Sequence, residues 1–271
     1  YDFVPFYRRC FSPSFLLLKH IANYRLIAYN IHTNIMKESR IFMRLRNIPR
    51  AEHVLNSSPF VIKNPCEYRG KWNDCIFRNE HPIHIEIGMG KGQFLLTNAA
   101  QNPQINYIGI ERYSSVLLRA VEKLDETAVC TRVTENLRFL CIDAREISQI
   151  FADNEISRIY LNFSDPWPKA RHARRRLTSK EYFARYDTIL APEGRIEFKT
   201  DNRELFDFSI EQLESSDMWK IAACTYDLHH DTSMNSGNIM TEYEAKFSSL
   251  GNPICKLIAV RSPRSCLFMR A

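Results

Sequence analysis

What is scarce in these 271 residues narrows the choices before any motif is read. Only 8 glycines stand beside 12 prolines, and 45% of the residues are hydrophobic, which excludes collagen-like, low-complexity and wholly disordered chains. No apolar run reaches the about 18 residues that a membrane-spanning helix needs. The nearest, Phe15 to Ile31, is broken by Lys19, His20 and Arg25. The eight cysteines (Cys10, Cys66, Cys75, Cys130, Cys141, Cys224, Cys255, Cys266) include no C-x-x-C pair and no short Cys/His spacing. Neither a zinc site nor a disulfide framework is indicated, and no metal is expected. Cys141 and Cys255 lie inside apolar runs, where a thiol serves as a small buried hydrophobe, and a reducing cytoplasm is the expected setting. The chain is long enough to bury a sizeable core without staples.

The charge is unevenly placed. Lys and Arg total 37 against 31 Asp and Glu, a net of +6 that points to a polyanionic partner. Residues 1–42 hold six basic and two acidic groups, and residues 261–271 hold three arginines and no acid, which leaves 43–260 at −1. We read 1–42 as a leader outside the working domain. It fits a signal peptide or a basic, acid-poor presequence, a disordered leader, or translated sequence upstream of a start at Met36 or Met43, of which Met43 is preferred. Residues 43–83 read as an N-terminal arm rich in Pro and Asn, 84–260 as the working domain, and 261–271 as a basic tail.

Within 84–260 there is no repeat and no linker, and β-branched runs alternate with helical patterns, the signature of a parallel sheet wrapped by helices. The expected strands are His84–Gly88, Asn106–Glu111, Leu137–Ala144, Ile156–Asp165 and Gly194–Asp201. Val116, Leu117, Ala120, Val121 and Leu124 recur at helical spacing and should face the sheet. Thr178 and Glu181 read as a capping box ahead of a helix over Tyr182–Leu190. Asp201 or Asn202 would cap the next helix, Arg203–Ser215. Two more extended runs follow, Trp219–Leu228 and Pro253–Val260, with no convincing helix between them, so they should pair antiparallel. The expected fold is a doubly wound α/β domain, mostly parallel, with an antiparallel last strand.

The first strand runs into His84-Ile85-Glu86-Ile87-Gly88-Met89-Gly90-Lys91-Gly92-Gln93, a strand, a glycine turn and a helix start. Gly88 and Gly90 let the backbone approach a ligand, and the helix offers free N–H groups. The G-x-G-x-G spacing departs from the dinucleotide fingerprint, and Glu86 would face a pyrophosphate with a carboxylate. A cationic or neutral ligand fits better, and S-adenosylmethionine, with an ammonium, a sulfonium and no phosphate, is such a ligand. Glu111 closes the second strand where an acid accepts from ribose hydroxyls, or it is a surface Glu beside Arg112. Asp143 closes the third, where it would meet an adenine amino group or cap the helix 146–151. Acids at successive strand ends beside a glycine turn favour the ligand.

The fourth strand leads into Asn162-Phe163-Ser164-Asp165-Pro166-Trp167-Pro168-Lys169-Ala170-Arg171-His172-Ala173-Arg174-Arg175-Arg176. The prolines stiffen this loop and leave Asp165 beside an aromatic able to hold a flat base. Five of the eight residues 169–176 are Lys or Arg. Such a run is a solvated loop or a polyanion contact, and its place behind a strand end favours the second.

These stretches, with Lys199-Thr200-Asp201-Asn202 and Asn238-Ile239-Met240-Thr241-Glu242-Tyr243-Glu244-x-Lys246-Phe247, resemble the bacterial tRNA (guanine-N7-)-methyltransferases (TrmB type) over roughly 43–260. The proline and arginine run and the Thr-Glu-Tyr-Glu segment are specific; the glycine turn is shared with most S-adenosylmethionine enzymes. The resemblance implies a Rossmann-like class I methyltransferase fold and N7-methylguanosine formation at position 46 of tRNA, in the variable loop. It implies that Glu86, Gly88, Gly90, Glu111, Asp143 and Asp165 surround S-adenosylmethionine, with Asp165 catalytic. It implies substrate contacts from Lys169, Asp201, Thr241, Glu242, Tyr243 and Glu244, where the residues alone would read Thr241 to Glu244 as an ordinary loop or a helix cap, and RNA contacts from Arg171, His172, Arg174, Arg175 and Arg176. The expected state is monomer or homodimer, with no membrane and no obligate protein partner. Three rivals are weighed. An exocyclic-amine methyltransferase would want its second proline at 167 rather than 168. A nicotinamide dehydrogenase is opposed by Glu86 and the glycine spacing, and an idle RNA-binding module would show no cofactor binding.

Overall fold

Seven strands form one sheet in a computed structural model that describes residues 48–128 and 135–262. The expected leader and all of the basic tail beyond Ser262 lie outside those residues. The strands are β1 (Ile83–Ile87), β2 (Asn106–Glu111), β3 (Leu137–Cys141), β4 (Ile156–Asn162), β5 (Leu190–Thr200), β6 (Trp219–Thr225) and β7 (Cys255–Arg261). Their order is β3-β2-β1-β4-β5-β7-β6. The first five pair in parallel, and β7 runs antiparallel between β5 and β6. This is the expected doubly wound sheet.

Helices pack on both faces: α1 (Ala51–Ser57), α2 (Gln93–Gln101), α3 (Ser114–Ala128), α4 (Ile147–Ile150), α5 (Lys180–Ile189), α6 (Arg203–Glu214), α7 (Thr232–Asn235) and α8 (Glu242–Ser249). Every position of β1 is buried, as a central parallel strand covered on two sides requires. Ile85 and Ile87 join Leu161, Phe183, Tyr186, Phe198 and Phe206 in one core layer. Leu95, Leu117, Val121, Leu124 and Phe139 form the other, so four of the five residues of the α3 stripe are fully buried and Val116 partly so. Glu86, on the alternate side of β1 from Ile85 and Ile87, therefore belongs to the α2 face.

The segment ahead of β1 is bound into both layers. Trp72 is wholly buried and its indole N–H donates to the Ile150 carbonyl at 3.1 Å. Val61 bridges Phe139 of β3, and Leu55 of α1 joins the second layer.

Several local expectations are corrected. β3 and β4 stop three residues early: the Asp143 side chain turns the chain by accepting the Arg145 N–H at 3.0 Å, and Phe163 leaves β4 at φ 52°. β5 starts at Leu190, ahead of Gly194, through an irregularity in its register with β4. Thr178 and Glu181 form no capping box. Thr178 is buried and accepts from Ser209 Oγ at 2.7 Å, Glu181 pairs with Arg174 at 3.1 Å, and Ser179 is the N-cap. The box forms instead at Thr241 and Glu244, opening α8 where no helix was expected. Of the apolar residues of α8 only Phe247 is buried, so its periodicity is faint. Arg261, placed in the tail by the sequence, belongs to β7 and pairs with Asp187 at 2.9 Å. Cys255 is buried, but Cys141, at the end of the edge strand β3, is exposed. No described helix is long and apolar enough to cross a membrane.

Gly92 caps α2 at φ 76°, and a Cβ there would lie 2.9 Å from the Ala120 Cβ of α3. Gly92→Ala is therefore expected to cost about 2 kcal/mol or more, from the left-handed backbone and the overpacked contact together. A urea midpoint equal to wild type would contradict this.

Candidate active site

The strand order reverses between β1 and β4, because β2 continues on one side of β1 and β4 on the other. Crevices in such sheets open at the C-terminal ends of the strands flanking that point. The β1–α2 turn lies there. A Cβ on Gly90 would meet nothing within 4 Å and one on Gly88 only Leu177 Cδ1 at 3.8 Å, so this backbone is open to a ligand.

Three carboxylates gather around the turn. Glu86 is 2% exposed; its Oε1 accepts from Asn162 Nδ2 at 2.7 Å and its Oε2 has no partner. Burial pushes its pKa up to about 8; the Asn162 hydrogen bond and the Lys199 charge oppose the rise, and Glu111 adds to it. Glu111 accepts the backbone N–H groups of Gly90 and Tyr113, each at 3.1 Å. Burial raises its pKa despite these bonds, and Asp165 pushes the same way. Asp165 itself is exposed as a residue, yet the walls of the crevice desolvate its carboxyl enough to raise its pKa. Desolvated acids that raise one another, one with an orphaned oxygen, fit a cationic ligand. Asp143 sits differently. Arg145 grips it through Nε at 3.0 Å and Nη2 at 2.8 Å and holds its pKa low.

The loop after β4 is rigid by construction. Phe163 and Trp167 flank Asp165 with φ of 52° and 42°, uncommon for residues with a Cβ, and strain of this kind gathers at functional sites. Arg176 holds the loop, donating from Nε to the Pro166 carbonyl at 2.9 Å and from Nη2 to the Trp167 carbonyl at 3.2 Å. Its guanidinium also lies over the Phe208 ring at 4.2 Å. Arg176 is thus spent inside the protein, unlike the rest of the basic run. Ala170–Arg175 form a 3₁₀ turn on which Arg171, Arg174 and Arg175 are exposed, as is Lys169 before it. Arg175 lies over Trp167 at 5.1 Å, and His172 meets the same ring edge-on at 5.7 Å.

On the facing side, Asp201 at the end of β5 has its pKa raised by burial and accepts from the Asn252 side chain. Thr241 spends its hydroxyl on the Glu244 N–H, and Glu242 pairs with Lys123 at 2.6 Å. Tyr243, 39% exposed, packs on Phe163 at 4.9 Å and on Phe247 at 4.1 Å. Glu244 departs from the expectation of an open contact: it is 0% exposed and bound to Lys199 at 2.6 Å. Asn162, Phe163 and Lys199 stand in the quoted motifs, but the sequence reading assigns them no role in the site. The strand of Lys199 also carries Glu193, Arg195 and Glu197, so a charge at Lys199 does not by itself stand out.

A family model described as "Putative methyltransferase" matches residues 80–257. The tRNA (guanine-N(7)-)-methyltransferase of Lachnoclostridium phytofermentans is 57% identical over 219 residues, covering 81% of this chain and 99% of that protein. The chain belongs to this methyltransferase family. The enzyme of the same name from Bacillus subtilis is 46% identical over 213 residues, 78% of this chain and 96% of that one. Among solved structures, "Structure of an Antibiotic Related Methyltransferase" covers 71% of this chain and 92% of its own at 16% identity, TM-score 0.52. The 16S rRNA methyltransferase KamB covers 72% and 94% at 15% identity, also with TM-score 0.52. At that identity the likeness speaks for the fold alone, which is the Rossmann-like class I methyltransferase fold. S-adenosylmethionine is the cofactor of such a family, and the open turn and the unpartnered Glu86 oxygen suit its ammonium and sulfonium charges.

Because Arg176 is a two-carbonyl clamp in this methyltransferase, Arg176→Lys, which keeps the charge but not the fork, should loosen the loop. Hydrogen exchange at the Phe163 amide, which heads the loop and is bonded to the Lys199 carbonyl at 2.8 Å, is expected to quicken by about tenfold. Unaltered exchange there would return Arg176 to the exposed basic run.

Proposed function

We propose that this enzyme transfers the methyl group of S-adenosylmethionine to N7 of guanine 46 in the variable loop of tRNA, forming N7-methylguanosine in the cytoplasm. The observation that carries the reading is the placement of an acid-lined, ligand-open glycine turn beside the strained Asp165 loop, with an exposed arginine turn directly after it.

Glu86, Gly88, Gly90, Glu111, Asp143 and Asp165 would hold the cofactor. Glu86 supplies a buried carboxylate for a cationic group, and Glu111 is pre-oriented by two backbone N–H groups to accept from hydroxyls. Asp143 would meet the adenine amino group while keeping Arg145. When bound, the cofactor supplies an electrophilic methyl whose bond to sulfur breaks as its bond to N7 forms. N7 of guanine carries a lone pair and no proton, so no general base is needed and the rate comes from positioning and field. Asp165 is accordingly an orienting and charge-balancing carboxylate. The guanine becomes cationic, and Asp201 and Glu242 are the acids on the facing side able to offset that charge. Phe163 and Tyr243 present an aromatic wall to the base. Lys169, Arg171, Arg174 and Arg175, with His172 beside them, take the tRNA phosphates.

The direct test is incubation with tRNA and labelled S-adenosylmethionine followed by chemical cleavage at N7-methylguanosine. Cleavage at position 46 is expected, and label on an adenine or none at all would overturn the reading. Asp165→Ala should lower turnover by about 100-fold or more. Changing Arg171 and Arg175 to Ala should weaken tRNA binding and flatten its salt dependence, with cofactor affinity unchanged.

Cofactor binding should also depend on pH. With its pKa at about 8, Glu86 is largely protonated at neutral pH in the free enzyme, and a cation against it favours the ionised form. Binding at pH 7 then releases a proton, so affinity should rise up to about tenfold per unit toward pH 8 and level off above. Calorimetry in two buffers of different ionisation heat reads that proton directly. Glu86→Gln should abolish the release, and a wild-type enzyme that releases none would remove Glu86 from the cofactor site.

A further inference from the structure

The two walls of the site meet at Lys199, next to the end of β5. Its side chain is 4% exposed and that of Glu244 is 0% exposed. The ammonium donates to Glu244 Oε2 at 2.6 Å, to Asn238 Oδ1 at 3.1 Å and to the Ile239 carbonyl at 3.0 Å, which occupies all three of its donors. Glu244 in turn accepts from Asn238 Nδ2 at 2.8 Å and from the Thr241 N–H at 3.4 Å, and His229 Nε2 lies 3.3 Å from its Oε1. Residues 238–244 therefore close on one buried cation. The backbone of the same residue holds the opposite wall: the Lys199 carbonyl accepts the Phe163 N–H at 2.8 Å, where the chain departs toward Asp165. Across the gap, Phe163 meets Tyr243 ring to ring at 4.9 Å.

We propose that Lys199 is a positioning residue for methyl transfer, its buried ammonium holding the 238–244 segment through Glu244 so that Tyr243 closes against Phe163 beside the Asp165 loop. This rests on reading Thr241 to Tyr243 as substrate contacts, and it makes Glu244 a prop within that segment. An apolar pair of similar volume would fill the space as well and avoid the desolvation of two charges. It would also leave the Ile239 carbonyl, the Asn238 amide and the Thr241 N–H without these partners, and nothing directional would set the height of the segment over the sheet. Packing would hold α8 near the sheet, whereas the ammonium fixes where its N-terminal turn sits.

The test compares Lys199→Met, the double variant Lys199→Met/Glu244→Met and Tyr243→Ala. It reads kcat and KM for tRNA at saturating cofactor, melting temperature, and hydrogen exchange over 236–244. The single lysine variant strands a buried carboxylate and should melt early. The double variant leaves no unpaired charge, so it should melt well above the single variant, short of wild type by what the Ile239 carbonyl, the Asn238 amide and the Thr241 N–H lose. Its kcat should nevertheless fall by about tenfold or more, because the segment is misplaced by a fraction of an ångström to an ångström. Its KM should move by no more than about threefold, since the phosphate contacts are untouched, and amides 236–244 should exchange about tenfold faster while β1 to β5 stay protected. A double variant with wild-type kcat, or with unchanged exchange over 236–244, overturns the proposal, because packing alone would then set the segment. Tyr243→Ala separates the two levels. If it keeps wild-type kcat and KM, the substrate-contact reading fails; if it loses turnover while the double variant does not, only the role of Lys199 fails.

Discussion

Charge taken out of water governs the working end of this protein. Removing an ammonium or a carboxylate from solvent costs several kcal/mol unless it is paired and hydrogen-bonded. The molecule does so repeatedly, with groups drawn from distant parts of the chain: Lys199 with Glu244, Glu86 under the glycine turn, and Glu111 against two backbone amides. Lys199 and Glu244 satisfy each other. Glu86 is left with one donor and one bare oxygen, and that imbalance is what a cationic cofactor would relieve.

The same logic explains why the wall around Asp165 is stiff. Methyl transfer to an unprotonated ring nitrogen asks for alignment more than for proton transfer, so the scaffold concentrates on holding geometry. Phe163 and Trp167 accept unfavourable backbone angles, and Arg176 holds the Pro166 and Trp167 carbonyls. The arginines that remain exposed stand on a short turn immediately beyond, so the phosphate attraction and base placement proposed here would be neighbours in the chain but separate in task.

Much of this was legible in advance. The strand and helix alternation was read to within a few residues, because buried parallel strands and a broad apolar helix stripe are strong periodic signals. Glu86, Glu111, Asp143 and Asp165 were found as strand-end acids, since topology alone sends the C-terminal ends of parallel strands to one rim. Helix α8 was not found. It buries a single apolar side chain of its own and depends on a cap and a buried ion pair that only the fold supplies. The two Thr-x-x-Glu patterns show the limit plainly. Thr178 was drawn away by Ser209 and Glu181 by Arg174, whereas Thr241 and Glu244 closed the box.

By itself, the sequence determined the layered sheet, its antiparallel last strand, the glycine turn with its acids and the basic run beside Asp165. These rest on periodicity and chain order, which are local properties. The tertiary structure decided which charges are buried and which remain free. It turned Glu244 and Arg176 from open contacts into internal supports and gave Lys199 its place between the walls. Burial depends on what the rest of the chain brings alongside, and no spacing along a single segment records that. The +6 of the whole chain shows the same division, because it is a sum over residues, whereas the crevice sets buried acids beside exposed cations that the fold gathers from several segments, Arg112 and Arg145 on Asp143 and the arginines of the turn after Asp165.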